Sequence, residues 1–450
     1  MTKPPISGRD RHVVRRGARS RALEAARVAR ASKSVATETT DLRPLQLVFL
    51  VAAVFVVSAG YGALMPLLPA WLLQQMPESS ASEVARHVGF LSGAYTFGVV
   101  VAAPIWGWIS DHLGRPRVLM VGLVGYVASL LLLLMPMDGM WTIYMLRAAA
   151  GVFVAAVVPV VPALVAAHTP SARRARRFAW LGAASLLGFL FGPGLNAVAD
   201  GLATLIANGA ALAPLSAHIV IVLSAVLGAA MMLGLAMTLP AHEIALETET
   251  PEKALRDRTG IESLWWLSIA VMFVLSGFEL GIVLQGGQHT NLTIQQVAYM
   301  FAECSLVMLA VNALLFFTSL LDKIPARIII AAGSVIAMSG LALLALHESN
   351  EWMYIGVSLT SAGTGLILPV IAFLAAGAAT HRLGTTMGSL ATAAGLGQTL
   401  GSLAGGWLFG AMAQLSFAWL ALPLLLTLIL LLCRPAWWAE VAALPVTGAA

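Results

Sequence analysis

The stretch "GWISDHLGRPR", Gly107 to Arg117, decides how this chain is read. It places one Asp, one His and two Arg in a short glycine-punctuated segment of a chain that is only 10% charged. Long runs with almost no charge lie on either side of it. A soluble protein of 450 residues would be about a quarter charged. Here 59% of residues are hydrophobic and the mean hydropathy is +0.87. No aqueous fold hides that much apolar surface, so lipid is the expected solvent. The charged segment then reads as a loop between two membrane-crossing helices.

Working outward from that loop, the chain offers twelve runs long enough to cross about 30 Å of hydrocarbon. They lie near 46–73, 88–109, 117–136, 140–166, 179–199, 216–239, 264–285, 295–320, 327–346, 353–379, 385–411 and 415–433. None alternates polar with apolar, so helices are expected rather than strands. Charge placement tests the count. With the first loop outside, eleven Lys/Arg fall in the N-terminal tail and thirteen in the inner loops and C-terminal end, 24 of the 26 present. Arg86 alone falls in an outer loop, and Arg147 falls inside span 4. This is the asymmetry of the positive-inside rule, and it puts both termini in the cytoplasm.

The polar segment "PAHEIALETETPEKALRDRTGIE" divides the spans six and six. The expected organisation is a basic cytoplasmic tail (1–44), a six-helix bundle (45–239), a cytoplasmic linker (240–263), a second bundle (264–434) and a short tail (435–450). The N-terminal tail lacks the apolar core of a secretory signal. Its basic residues read as a solvated arm near anionic headgroups, not as a nucleic-acid-binding element. Cys304 and Cys433 lie in apolar runs and form neither a disulfide framework nor a metal spacing. No G-x-x-x-x-G-K-[ST] stretch, catalytic triad or haem-ligand pattern occurs, so an ATP-driven pump, an enzyme and a cofactor are not expected.

The two bundles repeat one another. Asp111, between spans 2 and 3, is matched by Asp322 in "TSLLDKIPAR", between spans 8 and 9. Gly188 and Gly192 in span 5 are matched by Gly397 and Gly401 in span 11. Parallel repeats with a binding site between them are a transporter architecture.

At this point the chain resembles the major facilitator superfamily. "GWISDHLGRPR" is similar to that family's loop G-x-x-x-D-x-x-G-R-[RK]-x, with Gly107, Asp111, Gly114, Arg115 and Arg117 in place and Pro116 replacing the usual basic residue. "LRAAAGVFVAA" resembles the span-4 motif, whose Arg is Arg147 here. "GFLFGPGLN" resembles the span-5 antiporter motif, keeping Gly188, Gly192 and Pro193 but carrying Asn196 and Ala197 where glycines are expected. Span 1, "YGALMPLLPAWL", resembles the drug/proton antiporters of the tetracycline-exporter type, although the acid those carry one turn earlier is replaced by an apolar residue near Val57. The resemblance implies an all-α membrane protein of two pseudo-symmetric six-helix bundles, working as a monomer in the inner membrane. It would export small amphipathic, drug-like compounds in exchange for protons.

Several residues carry that expectation. Asp111 adds nothing to topology, so with Gly107, Gly114, Arg115, Arg117 and Asp322 it reads as a conformational latch between the halves. Arg147 inside a span costs roughly 2.5–3.5 kcal/mol on insertion scales, so it faces a cavity or a partner unless it snorkels to the outer headgroups. Glu279 in span 7 and Glu303 in span 8 are the other intramembrane charges, and a carboxyl in a dry site suits a proton carrier. Tyr61, Asn312 and Gln398 lead the candidates for the substrate cavity, ahead of Tyr95, Asn196, Gln285 and Trp407. Trp71, Trp141, Trp265 and Trp352 read as an interface belt. Pro159, Pro162 and Pro369 read as kinks in spans 4 and 10. Two rival functions stand: facilitated or proton-coupled uptake of a metabolite, and a receptor or scaffold that keeps the fold without transporting.

Overall fold

The computed structural model describes residues 42–135, 139–169, 171–206, 212–239, 261–288, 292–318, 324–378 and 383–433. Among them every regular element is helical. The spans, in order, are Pro44–Gln75, Ala81–Leu113, Arg115–Leu132, Met140–Ala167, Ser171–Ile206, Leu212–Thr238, Ile261–Gln288, Ile294–Phe317, Ala326–Leu346, Asn350–Ala378, Leu383–Met412 and Ser416–Cys433.

Local breaks in this helical pattern each have a local reason. Span 1 tightens into a 3₁₀ turn at Met65–Leu67, where Pro66 cannot donate to the helical ladder. Span 4 breaks between Val154 and Val160, just before Pro159 and Pro162. The break releases the Val152 carbonyl, and the Trp106 indole of span 2 donates to it at 2.7 Å. Spans 11 and 12 form one apolar run reversed at Ala413, whose φ of 51° is in the left-handed region. Gln414 ties that turn to the end of span 9 by donating to the Leu344 carbonyl at 2.7 Å and to that of His347. Pro193 and Pro369, by contrast, sit inside unbroken helices.

Spans 2 and 8 both begin on one face of the bundle. Ser80 caps span 2 by accepting from the Glu83 amide, and Thr293 caps span 8 by accepting from the Gln296 amide. We call this the cap face. The opposite face carries Gly114, whose φ of 89° lets span 2 stop and span 3 begin with no intervening loop.

The repeat seen in the sequence has a packing counterpart. Span 5 lies on span 1 through its glycines: a side chain at Gly192 would start 2.6 Å from the Ala63 amide nitrogen, and one at Gly188 would meet the Phe55 carbonyl. Span 11 lies on span 7 in the same way, with Gly397 against Ile269 and Gly401 against Phe273. The antiporter-motif glycines therefore set the distance between helices within each bundle.

The apolar interior is divided unequally. Leu50, Leu119, Leu123, Val157, Val161 and their neighbours form a core that belongs to the first bundle alone. The core of the second bundle extends into the first, but only at its cap-face end, taking in Met65, Leu72, Val88, Leu91, Ile143 and Ala217. Here spans 2 and 11 touch backbone to backbone: a side chain at Gly89 would start 2.8 Å from the Gly406 Cα, and one at Gly93 would strike Leu403. Trp71 belongs to this region and is buried at 9% exposure, so it packs in the core and not in the interface belt. Trp141, Trp265 and Trp352 are exposed. On the Gly114 side of the first bundle a cleft of about 260 Å³ opens between spans 1, 4 and 5, lined by Val54, Val57, Val158, Pro162 and Gly182 among others. Its hydroxyls, Ser58 and Ser185, bond to each other at 3.0 Å, which leaves the wall largely apolar.

Candidate central site between the two bundles

Tyr61 sits where the two cores meet and packs against both. Its ring lies 5.3 Å from that of Tyr95 and 5.9 Å from that of Phe189, and Phe189 lies 5.7 Å from Phe301 of the second bundle. An aromatic row thus crosses the seam from span 2 to span 8. Tyr61 is also within electrostatic reach of Arg147 on one side and Glu279 on the other, and Gln398 of span 11 points to its hydroxyl. That hydroxyl makes no hydrogen bond of good geometry.

Arg147 is placed by a glycine one turn away. A side chain at Gly151 would run into the Tyr95 backbone, and Gly98 fits as tightly against Ala148. Spans 2 and 4 therefore close on each other, and the Arg147 guanidinium lies over the Tyr95 ring, 4.9 Å from its centroid. Arg147 is 3% exposed, so it does not snorkel. Its Nε and Nη2 have no hydrogen-bond partner. The hydroxyls of Tyr61, Tyr95 and Tyr126 are its electrostatic neighbours. Tyr126, from the middle of span 3, is likewise buried with its hydroxyl unpartnered. It was not among the residues expected here, since one tyrosine in an apolar span carries no pattern.

Glu279 comes from the other bundle. Span 7 is well enclosed, with 83% of its apolar window buried, so a side chain there is kept from lipid almost everywhere. Glu279 is 8% exposed, and no described residue gives it a hydrogen bond or ion pair. Arg147 and Glu279 do not pair with each other; Tyr61 lies within reach of both. Two helical turns further along, Gln285 is fully buried with both ends of its amide unpartnered.

The remaining candidates lie elsewhere. Glu303 accepts from Ser358 at 2.5 Å in the seam between spans 8 and 10 of the second bundle. Asn312 donates to the Met308 carbonyl of its own helix at 2.8 Å and does not join the cluster, because the nearer acceptor is its own backbone. Trp407 is 58% exposed and points away from the interior. Asn196 is buried in span 5 with its amide unpartnered. Of the loop residues, Gly107 has open space where a side chain would go. Gly114, Arg115 and Arg117 span the junction of spans 2 and 3. The Asp111 side chain and the whole of Asp322 lie outside the described residues.

Residues 50–315 match the family model of the Major Facilitator Superfamily. The chain belongs to this family. Its relatives include the class D tetracycline resistance protein of Salmonella ordonez, 27% identical over 83% of this chain and 92% of that one. Multidrug resistance protein 2 of Bacillus subtilis (strain 168) is 22% identical over 80% of this chain and 88% of that one. In fold it is similar to the human organic anion transporter MFSD10, with a TM-score of 0.63 at 18% identity over 86% of this chain and all of that one. The protein is thus a multi-pass, all-α membrane transporter of the major facilitator fold.

Proposed function

We propose that this transporter exports small amphipathic, drug-like compounds from the cytoplasm in exchange for protons, as an inner-membrane monomer with both termini inside. The observation that carries the reading is the pair Arg147 and Glu279: one buried charge from each bundle, neither neutralised by a partner among the described residues, and both within reach of Tyr61 in the aromatic row at the seam. An unpaired acid that no lipid reaches can take a proton or a cationic group, and opening the seam on one face or the other decides which side supplies it. The relatives named for tetracycline and multidrug resistance support the substrate class.

In this arrangement the cap face is the outer face, the seam is closed there, and the described conformation is the inward-facing one. The test is proton movement in inverted vesicles energised by respiration. Adding a transported compound should release protons from the lumen in the wild type. Proton release from the lumen together with release of preloaded substrate to the medium would favour import by symport instead.

The latch at the Gly114 face belongs to the opposite conformation. Asp111 would engage helix ends and Arg residues when the inner face closes. Asp111→Asn is expected to lower the transport rate about tenfold at unchanged protein level, since about 1.4 kcal/mol separates tenfold populations. Unchanged transport by a normally expressed Asp111→Asn protein would leave the loop with topology as its only role.

A further inference from the structure

We infer that the groove between spans 8 and 10 is a second binding site, open to lipid, for a hydrophobic amine whose ammonium sits on Glu303 between the rings of Tyr299 and Tyr354. The site stands apart from the central one and from the substrate and proton path argued above. Helix geometry shows which way Glu303 faces. Phe301 points at the seam between the bundles, 5.7 Å from Phe189 of span 5. Two residues along a helix turn the side chain by about 200°, so Glu303 faces the other way. Tyr299 and Leu306, on the Glu303 face, are 64% and 57% exposed, whereas Phe301, Cys304 and Met308 are buried. Span 8 starts at Ile294 on the cap face, where the bundles are closed on each other, and Glu303 lies about 14 Å further in along the axis. With the seam side of span 8 filled by Phe301, the exposed side at this depth meets hydrocarbon.

A carboxyl turned toward hydrocarbon is costly, and here the cost is only half offset. One carboxyl oxygen accepts from the Ser358 hydroxyl of span 10 at 2.5 Å. The other, Oε2, is buried without a hydrogen-bond partner. No basic side chain acts on Glu303 among the described residues. In a medium of low dielectric a carboxylate pairs best with a cation, and lipid is the phase that can deliver one. The neighbours favour an ammonium. Tyr299 stands one turn from Glu303 on span 8, and Tyr354 stands one turn from Ser358 on span 10, within electrostatic reach of both Glu303 and Tyr299. The faces of phenol rings attract cations as the carboxylate does, and the exposed Tyr299 ring is free to swing aside and admit a ligand. Depth selects the ligand further. A single-chain amine keeps its head at the surface, whereas an amine with an apolar group on each side reaches the level of Glu303 with both arms in lipid.

The experiment uses the full-length protein in lipid nanodiscs and dicyclohexylcarbodiimide, a reagent that dissolves in lipid. The carboxyl oxygen of a membrane acid bonds to the central carbon of the reagent while the carboxyl proton moves to one of its nitrogens. The adduct rearranges to a stable N-acylurea, which fragment mass spectrometry assigns to a residue. Glu303 should be labelled in the wild type. Dioctylamine should slow that labelling at least about tenfold, and dioctyl ether, of the same shape without the charge, less than about twofold. Tyr299→Leu should be labelled as readily but need at least about threefold more amine for the same protection, while Tyr299→Phe, which keeps the ring face, should match the wild type. Absence of labelling at Glu303 would show that lipid does not reach the carboxyl and would overturn the assignment. Equal protection by amine and ether in the wild type would overturn it without recourse to any variant, and so would a Tyr299→Leu protein protected by the amine as fully as the wild type.

Discussion

Glu279→Gln should reduce proton-coupled export to about a hundredth of the wild-type rate or less, with expression and thermal stability unchanged or slightly improved. The glutamine keeps the volume and polarity of the side chain and removes its ability to change charge. Among the described residues no second carboxylate and no basic side chain acts on Glu279, so nothing there substitutes for its change of charge. Stability is not expected to fall, since the carboxyl makes no hydrogen bond there and replacing an unpaired buried ionisable group is neutral or stabilising. Glu303→Gln provides the contrast. Glu303 accepts from Ser358 through one carboxyl oxygen in the seam between spans 8 and 10, and its variant should keep transport within about threefold of wild type. Rates in proteoliposomes under an imposed pH gradient decide the matter. If Glu303→Gln were inactive and Glu279→Gln active, the proton would travel through the span 8–span 10 seam and the central site would need another purpose.

The second large effect concerns the closed face. Gly406→Leu should cut transport by tenfold or more and shift the protein toward the conformation open at the cap face. A Cβ at position 406 would sit 2.6 Å from the Gly89 Cα and 2.8 Å from the Ala85 carbonyl oxygen. Both obstacles are backbone, so no rotamer change relieves them. Overpacking of this kind costs about 1–3 kcal/mol, which displaces a two-state equilibrium by roughly 5- to 150-fold. Spin labels at Gln75 and Met412, on the cap-face ends of spans 1 and 11, should report a longer distance in the variant. Gly201→Leu is the matched control: Gly201 is exposed, lies in the same kind of helix, and has open space for 4 Å around the point where a Cβ would start. Transport by Gly406→Leu at wild-type rate and with an unaltered label distance would mean that the span 2–span 11 contact does not open during the cycle.

The architecture was legible in the amino-acid order because lipid is an unforgiving solvent. It demands about 20 apolar residues per crossing, leaves charge only in loops, and admits helices only, so twelve spans and their repeat could be read without coordinates. Breaks were partly legible for the same kind of reason. Proline removes a donor wherever it stands, and span 4 does break over residues 155–159, up to Pro159, yet the helix through Pro193 continues unbroken.

What each helix turns inward was not legible. In water, one face of a helix is apolar and the periodicity names the core; in lipid the outward face is apolar too, and the signal is lost. Hence Trp71 went to the core instead of the interface, Trp407 pointed outward instead of into the cavity, and Asn312 turned to its own backbone. For the same reason Tyr126 carried no mark in the sequence, although it stands beside Arg147. That Arg147 and Glu279 are charged and inside the membrane is a property of the chain. That they lie on two different bundles, unpaired and sharing one tyrosine between them, was decided only when close glycine contacts fixed how spans 2, 4, 7 and 11 are rotated against one another.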